Sequence, residues 1–144
     1  MRVLVCGGRD YGENEAGSAH RIALAVNERL ALRAKLDAIH AKTPITALGH
    51  GACGWNADIP STFKSGYMRG ADAIADEWAC EHGIVPDRFP AHWTSQKGGA
   101  GPRRNQNMLN KFKADLLVVA PGGRGTADTV RKAKAMGVPV EPVE

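Results

Sequence analysis

Four short clusters hold the residues best suited to chemistry: Pro121-Gly122-Gly123-Arg124-Gly125-Thr126, Cys6-Gly7-Gly8-Arg9-Asp10, Arg69-Gly70-Ala71-Asp72 and Gly101-Pro102-Arg103-Arg104-Asn105. In the first, glycines that end a strand and open a helix aim backbone N–H groups and the positive helix end at one spot, an arrangement suited to an anion or phosphate. The Thr126 hydroxyl can cap that helix or donate to a ligand oxygen. No Lys-Ser/Thr pair follows the glycines, so this is not a Walker loop. In the second cluster Arg9 and Asp10 suit phosphate and hydroxyl contacts, or pair with each other to hold the turn. Asp72 stands in a first helical turn, where a carboxylate is stabilising in its own right. Arg104 offers a planar, bidentate donor to phosphate or carboxylate, with Asn105 beside it.

Other candidates carry less. Cys6 reads as a small buried hydrophobe, since no base is encoded beside it. His50 and His92 fall at strand ends without the Cys, Asp or Glu spacing of a metal site, so both are expected as polar rim residues and no metal is assigned. Trp93 either stacks on a base or packs as a core or interface aromatic. No G-x-G-x-x-G follows the first strand, and the second ends in Gly49-His50 without an acidic residue for a ribose, which argues against a nicotinamide dehydrogenase.

These clusters must be positioned by a chain of 144 residues with 43% hydrophobic and 24% charged side chains. Such a composition fits one soluble globular domain, 1–144, and excludes disordered and fibrous classes. The formal net charge is +4. It is spread out: residues 101–144 hold 8 basic and 4 acidic groups, and residues 51–100 hold 4 and 6. No basic block is interleaved with aromatics, so nucleic acid is not the expected partner. Three cysteines without a C-x-x-C pair, and a start with no leader pattern, lead to an expected reduced, cytoplasmic setting. No apolar run approaches the roughly 20 residues of a membrane span. The seventeen glycines exceed the usual share of about 7%.

Strands and helices alternate along the chain. Arg2 to Cys6 is a β-branched apolar run closed by Gly7-Gly8, and a long helix is expected from Ser18 to Ala41, with Ile22, Ala25, Val26, Leu32, Leu36 and Ile39 on one broad face. Pro44 stops it. The second strand is expected at Ile45 to Leu48, closed by Gly49 and Gly51. A helix from Gly70 to His82 ends at Gly83, and Ile84 to Phe89 forms an outer strand, because Pro86 lacks a ladder donor. Pro102 suits the first turn of the next helix. Asp115 to Ala120 reads as the central strand, Thr126 caps a helix to Met136, Gly137 ends it, and Val138 to Val140 is the fifth strand. Right-handed crossovers then give an α/β, Rossmann-like three-layer sandwich with a five-stranded parallel sheet ordered 3-2-1-4-5. Ligands bind such sheets at the strands' carboxyl ends beside the switch point, where Gly7, Gly8, Gly51, Gly122, Gly123 and Gly125 converge.

The succession RVLVCGGRDY, HG, RGADAIADEWA, FPAHW, AGPRRNQNM, DLLVVAPGGRGTAD and GVPV resembles the YspA/YpsA-like branch of the SLOG superfamily over nearly the whole chain. That resemblance implies a Rossmann-like fold that binds a nucleotide or nucleotide-derived ligand, to sense or to process it. The superfamily includes the cytokinin-activating "lonely guy" phosphoribohydrolases and the Rossmann domain of DprA-type proteins. The phosphoribohydrolases carry R-K-x-x-M and P-G-G-x-G-T-x-x-E, with the Arg and Glu in catalysis. Arg104 and Met108 match the first, with Asn105 in place of Lys. Pro121, Gly122, Gly123, Gly125 and Thr126 match the second, but Thr129 stands where the Glu would be. Threonine supplies neither carboxylate stabilisation nor acid/base work at neutral pH. Cys53 to Met68 is an insert relative to the branch, read as a lid, a homo-oligomer contact or a disordered loop.

The expectation is therefore binding of a phosphate-bearing, nucleotide-like small molecule, with no separate cofactor. Its ligand-binding residues would be Gly7, Gly8, Arg9, Asp10, Gly51, Arg69, Gly70, Asp72, Arg104, Asn105, Pro121, Gly122, Gly123, Gly125 and Thr126. The rival is an N-glycosidic or phosphoester hydrolase using Arg104 with Asp72 or Asp128. A third reading is single-stranded DNA binding in the DprA manner.

Overall fold

In a computed structural model, which describes residues 1–14 and 18–143, five parallel strands form one sheet. They are β1 (Arg2–Cys6), β2 (Ala47–His50), β3 (Asp87–Arg88), β4 (Leu116–Val119) and β5 (Val140–Pro142), in the order β3-β2-β1-β4-β5. The helices are α1 (Ala19–Lys42), α2 (Gly70–Glu81), α3 (Ala100–Phe112) and α4 (Arg124–Ala135). The α/β class and the strand order are those expected, and the architecture is Rossmann-like.

The sheet is covered on both faces because its central strands are apolar on both. In β1, Val3 and Val5 join Leu32 and Leu36 of α1 and Ile74 and Trp78 of α2. Leu4 and Cys6, alternating to the opposite face, join Met108, Leu109 and Phe112 of α3 and Ala133 of α4. Strand β4 repeats the pattern, with Val118 on the first side and Leu117 on the second. Register is thereby fixed, since slipping one residue would exchange the two cores.

Several boundaries differ from expectation. Strand β2 lies two residues later than the run Ile45 to Leu48, so Gly49 and His50 pair within the sheet instead of closing it. A side chain at Gly49 would strike the Phe112 ring at 2.8 Å, so that glycine answers to packing. Strand β3 shrinks to Asp87–Arg88 at the sheet edge, and β5 begins at Val140. Helix α4 starts at Arg124 with Gly123 at its cap, so Thr126 lies in the first turn and is not the cap. Ser18 caps α1, its hydroxyl accepting from Arg21 N–H at 3.0 Å. The apolar face of α1 is narrower than the sequence suggests: Ile22 and Val26 are 42% and 49% exposed, and Ala25, Leu32 and Leu36 are buried. Gly83 and Gly137, with φ of +72° and +77°, follow α2 and α4 as expected.

Cys53 to Met68 folds into two short 3₁₀ turns, Pro60–Thr62 and Ser65–Tyr67. Trp55 and Met68 form a small core with Ala52, and Phe63 stacks on Trp55 at 4.9 Å.

Candidate functional site

The loops after β1, β2 and β4 meet at the C-terminal rim of the sheet because all five strands run the same way. Between them lies a cavity of about 720 Å³. Gly7, Gly8, Arg9, Asp10 and Gly51 line it, as do Asp72, Arg104 and Asn105. Pro121, Gly122, Gly123, Gly125 and Thr126 form the wall that leads into α4.

This wall is built by backbone meeting backbone. The Gly8 N–H donates to the Pro121 carbonyl at 2.9 Å, locking the loop after β1 onto the loop after β4. Ala71 N–H donates to the Gly8 carbonyl at 3.2 Å, which fixes the start of α2 beneath the same loop. Gly70, at φ +66°, lies so close to Gly8 and Arg9 that a Cβ there would stand 2.8 Å from the Arg9 Cα and closer still to the Gly8 carbonyl oxygen. Gly70 therefore supports the rim from below and does not line the cavity. Arg69 is likewise outside the lining, with Nη2 3.5 Å from Asp10 Oδ1 and Nε 4.0 Å from Glu13 Oε1.

Arg104 reaches the rim from α3. Its Nη1 donates to the carbonyls of Gly51 and, at 3.3 Å, Phe89, and its Nε donates to Asn105 Oδ1 at 2.9 Å. Asn105 is buried and bridges α3 to α4, its Nδ2 donating to Asp128 Oδ2 at 3.0 Å. Asp128 is not among the lining residues. It is engaged by Arg131 at 2.6 Å and Lys132 at 2.8 Å. Burial alone would raise its pKa, but hydrogen bonds from Lys132, Asn105 and Arg131 outweigh burial and lower it. Asp72 does line the cavity and is 7% exposed, its Oδ2 accepting the Cys53 N–H at 3.0 Å. Thr129, where the related hydrolases carry Glu, is buried and turns its hydroxyl back to the Gly125 carbonyl at 3.0 Å.

Cys6 and Cys53 also line the cavity. Burial, reinforced by the charge of Asp72 and opposed by that of Arg104, pushes the Cys6 thiol up to about 12. Burial and Asp72 raise Cys53 too. Neither thiol is a thiolate at neutral pH, so neither is a ready nucleophile.

His50 is a correction. It is fully buried and does not stand on the rim. Its Nδ1 accepts the Ala52 N–H at 3.0 Å, so Nε2 carries the proton and donates to Asp76 Oδ2 at 2.7 Å. Arg88 grips the same carboxylate, Nε to Oδ2 at 2.7 Å and Nη2 to Oδ1 at 3.1 Å, and lies 5.3 Å over the Trp55 ring. The network ties β2, α2 and β3 together and sets the course of the chain from His50 to Ala52.

Tyr11, Arg21 and Glu28 line the cavity beyond the residues the sequence points to, and Trp93, a candidate for stacking on a base, lines it too. Arg21 and Glu28 pair at 3.2 Å, and Glu28 Oε1 accepts the Gly12 N–H at 3.0 Å, anchoring the loop after β1 to α1. Their seven-residue spacing puts them on one helix face, a signal present in the sequence. Trp93 is 48% exposed, and its loop is held by the insert. Asp58 accepts the backbone N–H groups of Thr94 at 3.1 Å and Ser95 at 2.8 Å, the Ser95 hydroxyl, and His92 Nδ1 at 2.8 Å. Those bonds, His92 first, lower the Asp58 pKa to about 2. Asp58→Ala is expected to speed hydrogen exchange at the Thr94 and Ser95 amides by roughly fivefold, since each amide loses its acceptor. Unchanged exchange at both amides would show that Asp58 does not hold this loop.

A parallel sheet ordered 3-2-1-4-5, with a glycine-walled cavity at the carboxyl ends of β1, β2 and β4, defines a Rossmann-like protein with a rim site. Residues 1–59 match the model of the YspA, cpYpsA-related SLOG family. The chain is 38% identical over 82 residues to "Gene 61 protein" of Mycobacterium phage D29, a match covering 52% of this chain and 65% of that protein. The chain thus spans less than two thirds of this relative's length. No solved structure matches. Among the described residues, no helix is long and apolar enough to cross a membrane.

Proposed function

We propose that the protein binds a phosphate-bearing nucleotide derivative in the rim cavity. The observation that carries this reading is the wall from Gly122 to Thr126, which opens α4 towards the cavity and leaves its first N–H groups facing a ligand. Asp72 supplies a carboxylate suited to a sugar hydroxyl, Arg104 a second cationic contact, and Trp93 an aromatic face at the mouth. Calorimetric titration with nucleoside monophosphates, ADP-ribose and NAD tests it. At least one is expected to bind, and Arg104→Ala is expected to weaken that binding by roughly 10- to 100-fold, the worth of a charge-assisted hydrogen bond. Failure of every ligand to bind would overturn it.

Asp72 and Arg104 in one cavity also favour a second reading, hydrolysis of a nucleotide. Here the Asp72 carboxylate would stabilise positive charge developing on the sugar while Arg104 holds the phosphate. Release of free base or ribose phosphate, lost in Asp72→Asn, separates an enzyme from a binder. Asp128 is the weaker partner in this reading, since its oxygens are already committed to Asn105, Arg131 and Lys132.

A further inference from the structure

A second cavity, of about 240 Å³, shares Arg104 with the rim cavity. Its polar lining is Arg88, His92, Gln96, Arg104, Asn107 and Lys111, and no Asp or Glu is among its lining residues. Arg88 is already balanced by Asp76, and the His92 ring is hydrogen-bonded to Asp58. Arg104 and Lys111 are not balanced: among the described residues Arg104 bonds only carbonyl oxygens and the Asn105 side chain, and Lys111 makes no ion pair. Two cations sharing a recess repel, and an anion between them turns that repulsion into attraction.

Arg104, Asn107 and Lys111 follow one another at three- and four-residue steps on α3, so they form a single stripe. Gln96 adds an amide from the preceding turn. Donors arriving from several directions suit a tetrahedral oxyanion better than a planar carboxylate, which a single guanidinium fork would satisfy.

We propose that this second cavity binds a phosphate group between Arg104 and Lys111, and that Arg104 links it to the rim cavity. The group is either free phosphate or the terminal phosphate of a longer ligand seated in the rim. The first of these sources does not depend on the reading given for the rim.

Calorimetric titration of the full chain with inorganic phosphate at low ionic strength tests it, using two variants. Asn107→Asp places a carboxylate on the stripe, whereas Gly125→Asp places one at the rim, where a Cβ meets nothing within 4 Å. Saturable phosphate binding is expected, with a component weakened by roughly tenfold or more in Asn107→Asp and retained in Gly125→Asp. Lys111→Gln is expected to reproduce the loss in part, and circular dichroism checks that each variant folds. Binding lost only in Gly125→Asp, or unaffected by Asn107→Asp, would overturn the proposal. So would unsaturable binding, the mark of an adventitious ion only.

A nucleoside monophosphate and its diphosphate separate the two sources. If Asn107→Asp weakens the diphosphate far more than the monophosphate, the cavity receives the terminal phosphate of a rim ligand. If both are weakened equally while inorganic phosphate is lost, it receives free phosphate. Failure of the nucleotides alone would count against the rim reading and leave the phosphate result standing.

Discussion

Gly70→Ala is expected to lower the stability of the protein by about 3 kcal/mol and to abolish the ligand binding proposed for the rim. Two costs combine. An L-residue at φ +66° pays about 1–2 kcal/mol for a left-handed backbone. Its methyl group would also press into the Gly8 carbonyl and stand 2.8 Å from the Arg9 Cα, and overpacking of that kind costs about 1–3 kcal/mol. The atoms in the way are main chain, so no rotamer change relieves them. Relief requires the loop after β1 to lift, and that would break the Gly8 to Pro121 bond that closes the wall. Gly125→Ala is the matched control. A Cβ there meets nothing within 4 Å, so this substitution in α4 is expected to be neutral or to stabilise by roughly 0.5–1 kcal/mol. Urea unfolding of the two variants measures the difference, and equal stabilities would show that the glycine stack does not support the rim.

Asp76→Ala is expected to cost about 3 kcal/mol, since it strands the buried His50 and removes the counter-charge of Arg88. The same carboxylate gives the folded state a signature in acid. Burial would raise its pKa, but the hydrogen bonds from His50 and Arg88 outweigh burial and hold it well below the usual carboxylate range. A folded-state value below the unfolded one adds stability that is complete above the unfolded pKa of about 3.9. That stability is lost as pH falls through the folded value. Wild-type stability should therefore decline steeply below about pH 4, and Asp76→Ala should flatten that decline. Parallel acid limbs in the two proteins would show that Asp76 is not the group responsible. Asp58, lowered to about 2 in the folded chain, adds a loss of the same sign over the interval between the two values.

The order of the sheet and the convergence of its glycines were legible because both follow from local pattern. Apolar runs ending in glycine at the right intervals leave little choice of topology. Gly49 misled for the opposite reason: glycine normally punctuates a strand, yet here it makes room for Phe112, a neighbour sixty-three positions away. From sequence His50 has the look of a rim residue because its partners, Asp76 and Arg88, lie on other elements, and only folding brings the three together. Gly70 and Asp128 share local sequence with site residues but face elsewhere, one into the Gly8 loop and the other into the lysine and arginine of its own helix. Trp93 depended on the insert, whose Asp58 fixes the loop from His92 to Ser95.

The loops after β1 and β4 bring Gly7, Gly8, Gly122 and Gly123 to the rim, and each presents only its peptide groups there. Peptide groups offer the same donors whatever residues drift around them. On the reading proposed for the rim, recognition of a phosphate is insulated from most substitutions, and discrimination among ligands falls to the lining side chains, chiefly Arg9, Asp72, Trp93, Arg104 and Arg124. On that reading a scaffold of this kind changes what it binds by exchanging those side chains while its peptide wall remains as it was.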